Sequence, residues 1–276
     1  MGLSQINDID LENEKKSLNK LFECSDSFTS VVFNSGAGSG KTYALIQCLK
    51  YIISIHHHDL KNHNQKIGCI TYTNVAAGHI KHQLGVSDVV EISTIHERIW
   101  SIICSQKSAL LSLHIEKLKS EVDLLSNQLL SNSEYEKYRA LDASAQERFF
   151  QLMQENKKKY NMAYNLKAAE FKAAMPEEIR LQYAELISNV SKFKGLVDKL
   201  FKRKRYLDCL CKIESGEKEY KVVNYDAMYN RDRLDKMRIS HDTLLEYGYE
   251  LIERYPRMRQ LIIDKYPYIL IDEYQD

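Results

Sequence analysis

Between residues 31 and 49 an apolar run, a glycine-rich turn and a helical pattern follow one another without a gap, and few folds accommodate that order. The run is Val31-Val32-Phe33. The turn is Ser35-Gly36-Ala37-Gly38-Ser39-Gly40-Lys41-Thr42, and the pattern begins at Tyr43-Ala44-Leu45-Ile46-Gln47-Cys48-Leu49. Glycines at 36, 38 and 40 let successive backbone N–H groups turn inward around an anion. Lys41 is placed to reach the terminal phosphates of a nucleotide. Thr42 offers a hydroxyl to Mg²⁺, and the amino end of the next helix adds its positive pole. Ser35 stands where this signature usually has glycine, and a small residue still fits. The pattern therefore reads as a strand over 29–34, a phosphate loop, and a helix from Lys41 to about Ser54.

A phosphate loop needs a carboxylate partner for its metal, and the far end of the chain supplies one. Tyr268-Ile269-Leu270-Ile271 reads as a buried strand that delivers Asp272-Glu273-Tyr274-Gln275-Asp276. Asp272 is the candidate Mg²⁺ ligand, and Glu273 the candidate base that orients and deprotonates an attacking water. Two more buried strands are read near Lys66–Thr71 and Val89–Ser93, each running into a polar triplet and then a helix. Short apolar strands alternating with helices indicate a parallel α/β sheet with its functional loops at the carboxyl ends of the strands.

From about residue 105 to 240 the strand signal stops and helical periodicity takes over, beginning with Leu110, Leu113, Leu118, Val122, Leu125 and Leu129. The expected organisation is an α/β domain over 1–104, a helical insertion over 105–240, and the α/β domain resumed over 241–276. Net charge over the chain is only +1, so an acidic partner has to be met by local clustering. Residues 101–240 hold 26 Lys/Arg against 20 Asp/Glu. The excess concentrates in 192–205, where Lys202, Arg203, Lys204 and Arg205 are consecutive and aromatic residues lie nearby. That stretch is a candidate track for a phosphate backbone. His56-His57-His58-Asp59 and His63 are read as a solvated connection. Six scattered cysteines, with no paired spacing, suit reduced thiols and a cytoplasmic setting. No apolar run reaches the length of a membrane span.

Taken together, these segments resemble the UvrD/Rep/PcrA group of superfamily 1 DNA helicases. The resemblance rests on the loop at 35–42 (motif I), on Thr71-Tyr72-Thr73-Asn74-Val75-Ala76-Ala77 (motif Ia), on Ser93-Thr94-Ile95-His96 (motif Ib) and on Asp272-Glu273-Tyr274-Gln275-Asp276 (motif II). It implies a RecA-like domain that binds ATP and Mg²⁺, with the helical insertion matching the group's 1B subdomain in position. Thr73, Asn74, Thr94 and His96 are then expected to face single-stranded DNA, or a junction of single and double strands, and Gln275 to link that strand to the nucleotide. Val75 stands where the group often has Lys, which weakens one backbone contact. Motif III, the second RecA-like domain and its arginines follow Asp276 in the group, so the resemblance covers an amino-terminal helicase half. Its complement is expected in cis or in trans, and residues 1–276 alone are expected to bind nucleotide but turn it over poorly. The alternatives are a nucleotide-responsive DNA-binding module without turnover, and a helicase subunit of an anti-phage system paired with a nuclease. No membrane partner is expected.

Overall fold

The computed structural model describes residues 8–34 and 40–273, which form two compact units: residues 1–105 with 241–276, and residues 106–240. The first opens with α1 (Asp8–Asp26), α2 (Lys41–Asn62), β1 (Ile67–Thr71), α3 (Asn74–Leu84), β2 (Val90–Thr94) and α4 (Ile95–Ile103). The second holds α5 (Lys107–Ser131), α6 (Glu136–Arg139), α7 (Ala143–Glu155), α8 (Lys157–Ala163), α9 (Ala168–Ala174), α10 (Glu177–Gln182), α11 (Ala184–Ile187) and α12 (Val190–Glu214), then β3 (Asn224–Tyr225) and β4 (Arg238–Ile239). The first unit resumes with α13 (His241–Arg254), α14 (Pro256–Lys265) and β5 (Tyr268–Ile271).

The sheet of the first unit is parallel, in the order β2-β1-β5. Its middle strand reads Ile-Gly-Cys-Ile-Thr and is buried at every position, as a strand covered on both faces must be. Ile46, Leu49 and Ile52 of α2 pack with Ile67 and Cys69 of β1 and Ile80 of α3 in one apolar cluster. On α13, Gly248 meets α4 so closely that a Cβ there would lie 2.5 Å from Ile99 Cγ2. Only a glycine permits that approach.

Three expectations are corrected. Residues 29–34 form no strand: Val31, Val32 and Phe33 are exposed, and the segment runs beside β5 across a groove of about 720 Å³. A strand needs a hydrogen-bonded neighbour about 4.8 Å away, and across this groove the segment has none. The helix read as ending near Ser54 continues to Asn62, because Leu60 keeps the buried face of Leu49 and Ile52 going for two further turns. His56, His57, His58 and Asp59 therefore lie on a helix, not in a connection. The insertion, finally, is not wholly helical, since β3 and β4 pair in parallel over two residues.

In the second unit, α5 and α12 are the long helices, each of 25 residues, and α12 buries Phe193, Leu196, Val197, Leu200 and Phe201. Edge-to-face ring contacts organise this core, with Phe193 set 5.9 Å from Phe149 and 6.0 Å from Phe171. Asp198 accepts from the hydroxyls of Tyr160 at 2.8 Å and Tyr164 at 2.7 Å at the rim of that core.

Candidate functional site

The parallel registers bring three polar segments to one edge of the first unit. Thr71 and Thr94 are opposite one another at the ends of β1 and β2. Asp272 carries the β5 ladder one residue further, its N–H donating to Ile70 O at 2.9 Å. At this edge Thr42 Oγ1 donates to Asp272 Oδ2 at 3.2 Å, joining side chains that are 230 positions apart. Asp272 is 7% exposed. Glu273 follows with φ at +55° and donates its backbone N–H to Asp272 Oδ1 at 3.1 Å. Left-handed backbone at a non-glycine residue is uncommon and costs on the order of 1 kcal/mol, a cost that recurs at functional sites.

The other side of the site is the amino end of α2. Gly40 sits before it at φ +84°, where a side chain would be strained, and neither a side-chain cap nor an acidic residue neutralises the first turn. Lys41 and Thr42 occupy that turn, both half-buried. A buried carboxylate and a hydroxyl beside the amino end of a helix are oxygen donors suited to a hard divalent cation, next to a seat for phosphate. Cys69 lies beneath the site with its thiol pushed up to about 12 by burial and by the charge of Asp272, which keeps it unreactive. Ser35, Gly36, Ala37, Gly38, Ser39 and Gln275 lie outside the described residues.

The residues read as facing a nucleic-acid strand have local partners that the sequence did not reveal. Thr73 caps α3, its Oγ1 accepting from Ala76 N at 3.2 Å. Thr94 and Glu97 form a reciprocal cap on α4, at 3.3 and 3.1 Å. Asn74 is exposed in the first turn of α3. His96 stacks at 4.5 Å on His241, a residue sequence reasoning passed over. Partial burial, then the neighbouring His241, lowers the His96 pKa against the opposing pull of Asp242.

In the second unit the cations of 199–205 turn to different partners. Lys202 Nζ is 3.1 Å from Glu121 and lies over the Tyr206 ring, and Arg203 Nε donates to Ser126 Oγ at 2.8 Å, both toward α5. Lys204 pairs with Asp208 at 2.7 Å along α12, and Arg205 lies 3.6 Å from Asp235. The α2 histidines are engaged too: His57 bonds Asp88 at 2.9 Å, and His58 bonds Asn62 at 2.9 Å. Among the described residues no cluster of His, Cys, Asp and Glu could hold a metal by itself, and no helix is long and apolar enough to cross a membrane.

The β5 strand of the parallel sheet thus sets an acid against the threonine of a lysine-threonine helix start, an arrangement compatible with a nucleotide site. The UvrD/REP helicase N-terminal domain model matches residues 17–276, and the chain belongs to that family. It is 45% identical over 276 residues to the Gabija protein GajB of Bacillus cereus (strain HuB5-5), covering 100% of this chain and 40% of that protein. It is 27% identical over 253 residues to the ATP-dependent DNA helicase Rep of Buchnera aphidicola subsp. Baizongia pistaciae (strain Bp), covering 88% of this chain and 29% of that one. The chain thus spans less than half the length of these curated relatives. No solved structure matches it.

Proposed function

We propose that the chain is the ATP-binding half of a DNA helicase or translocase, built as a RecA-like domain interrupted by a 1B-like helical insertion over 105–240. The observation that carries this reading is the Thr42–Asp272 contact near Lys41 at the start of α2, which supports a role for the two residues in holding a metal. Mg-ATP, when bound, supplies the phosphoryl group that is transferred to water. Thr42 and Asp272 hold the metal, Lys41 neutralises phosphate charge, and Glu273 receives the proton of the attacking water. Gln275 relays the state of the site to the strand.

Thr73, Asn74, Thr94 and His96 stand at the same sheet edge as Asp272, which supports their expected role in holding single-stranded DNA while nucleotide occupies the site. Lys204 and Arg205, with side chains 45% and 46% exposed, are members of a second contact in the helical unit. Lys202 and Arg203 join it by exchanging their present partners for phosphate. Turnover and stepping require a second helicase half, in cis or in trans, to bring an arginine to the phosphoryl group and to close on the nucleotide. Calorimetric titration of Mg-ATP tests the reading: wild type binds, and Lys41→Ala does not. Equal affinity of the two would overturn it.

A second reading places the chain in a helicase subunit that works beside a nuclease in defence against phage. The kinship to the Gabija protein along the entire chain favours it. Co-purification of a nuclease with the full-length protein from its own host would support this reading, and purification of the helicase alone under mild conditions would count against it.

A further inference from the structure

β5 hydrogen-bonds to one neighbour only among the described residues, β1, yet the candidate metal site depends on its register. A slip of one residue would carry Asp272 to the face of the sheet away from Thr42, because side chains alternate along a strand. Backbone ladders look alike in either register, so side chains make the choice: Tyr268 and Leu270 face the apolar cluster, and the segment leading into the strand adds a polar anchor.

Such side chains are present. The Tyr266 ring, two residues before β5, lies over Gly68 of β1, 3.5 Å from where a Cβ would sit. Its hydroxyl donates to Glu91 Oε2 of β2 at 2.5 Å and accepts from Arg98 NH1 of α4 at 2.7 Å. The Arg98 guanidinium also binds the Glu91 carboxylate, donates from NH2 to Glu91 O at 3.0 Å, and stacks with its carbon 5.1 Å from the Tyr266 ring centre. Lys265 Nζ, 3.4 Å from Glu91 Oε1, closes the outer side. Arg98 has a side chain only 9% exposed. Burial opposes the charge on Glu91, but the Tyr266 and Arg98 bonds outweigh it and hold the carboxyl below its usual range.

A buried ion pair of this kind adds little net stability over apolar residues of the same size, because desolvation offsets the attraction. Both charges lie off β5, on α4 and β2, so another register would leave the pair intact but take from it the Tyr266 hydroxyl, which bonds to both partners. We propose that Arg98, Glu91 and Tyr266 are positioning residues that lock the register of β5 and thereby set Asp272 against Thr42 for metal binding. The proposal rests on the nucleotide-site reading above and adds residues that touch neither nucleotide nor metal. Because Arg98 on α4 is one turn beyond the cap Thr94 and two residues beyond His96, the same anchor ties the proposed strand-binding edge to the proposed metal-binding strand.

Tyr266→Phe removes one oxygen and keeps the ring, and Arg98→Met removes the charge at similar length. ATP is titrated into each variant with saturating Mg²⁺ and again in EDTA. The gain in affinity that Mg²⁺ confers on wild type is expected to fall about tenfold in both variants, as for residues that orient metal ligands, with the EDTA affinity changed by less than about twofold. Added to Asp272→Asn, neither substitution is expected to cause further loss. Should Arg98→Met fail to unfold cooperatively, Tyr266→Phe decides. An unchanged Mg²⁺ gain in Tyr266→Phe, or an equal loss with and without Mg²⁺, overturns the proposal. Absence of any Mg²⁺ gain in wild type would instead overturn the nucleotide-site reading.

Discussion

The α/β unit and the helical unit both bury apolar side chains, but they leave their polar groups in opposite situations. In the first, parallel strands end together, so Thr71, Thr94 and Asp272 are delivered to one edge by topology. In the second, the cations of α12 spread around a helix and find partners on α5, on α12 and in the loop holding Asp235. A count of charges pointed to the second unit as a binding surface. Convergence of different chain segments, more than local charge density, brings distant polar side chains together in this chain.

Destroying one unit without the other is the strongest way to break the comparison. Phe193→Ala empties the centre of the aromatic core of the helical unit and is expected to cost about 3–5 kcal/mol there. Thermal unfolding followed by nucleotide titration is expected to show an earlier melt with Mg-ATP affinity retained; loss of both together would mean that the units are not separable. Gly248→Ala acts in the other unit, where the added methyl collides with Ile99, and is expected to destabilise by about 1–3 kcal/mol in chemical denaturation.

Charge interactions give smaller effects and sharpen the contrast. Replacing Lys202, Arg203, Lys204 and Arg205 together by Ala is expected to flatten the salt dependence of single-stranded DNA affinity by up to about 2.8, four phosphate contacts at about 0.7 each. An unchanged slope would remove this stretch from the DNA path. Hydrogen bonds from His57, then Lys61, lower the Asp88 carboxyl to about 2. Its folded value lies below the unfolded one of about 3.9, so its contribution is complete above pH 4 and is lost as pH falls toward 2. Asp88→Asn is expected to flatten the acid limb of a stability–pH curve in that window. Least of all, Lys204→Ala removes a one-turn helix pair with Asp208 and is expected to shift stability by under about 0.5 kcal/mol.

What the sequence made legible follows the same division. β5 and Asp272 were readable because four apolar residues ending in an acid give a strand and its direction, but the strand read as buried is buried on one face only, with Ile269 and Ile271 50% and 45% exposed. The Val31-Val32-Phe33 run was just as apolar, yet forms no strand, because strand formation depends on a hydrogen-bonding neighbour that no local pattern encodes. The second half of α2 was hidden by His56-His57-His58-Asp59, whose polarity masked the role of Leu60 in the core. The contacts of Lys202 and Arg203 with α5 join residues 81 and 77 positions apart, and Tyr266 meets Arg98 across 168, separations at which periodicity carries no information. Thr73 and Thr94 were found as motif residues, but their capping bonds became visible only with the helices in place.

The central claim is that Thr42 and Asp272, brought together by the fold, act as one metal-binding unit for nucleotide. A double-mutant cycle in Mg-ATP affinity with Thr42→Val, Asp272→Asn and the pair tests it most directly. The account predicts a loss of about tenfold or more in each single variant, and a double variant no worse than Asp272→Asn alone, because metal binding fails as soon as either oxygen is removed. Independent, additive losses, or single variants that bind Mg-ATP as wild type does, would contradict it.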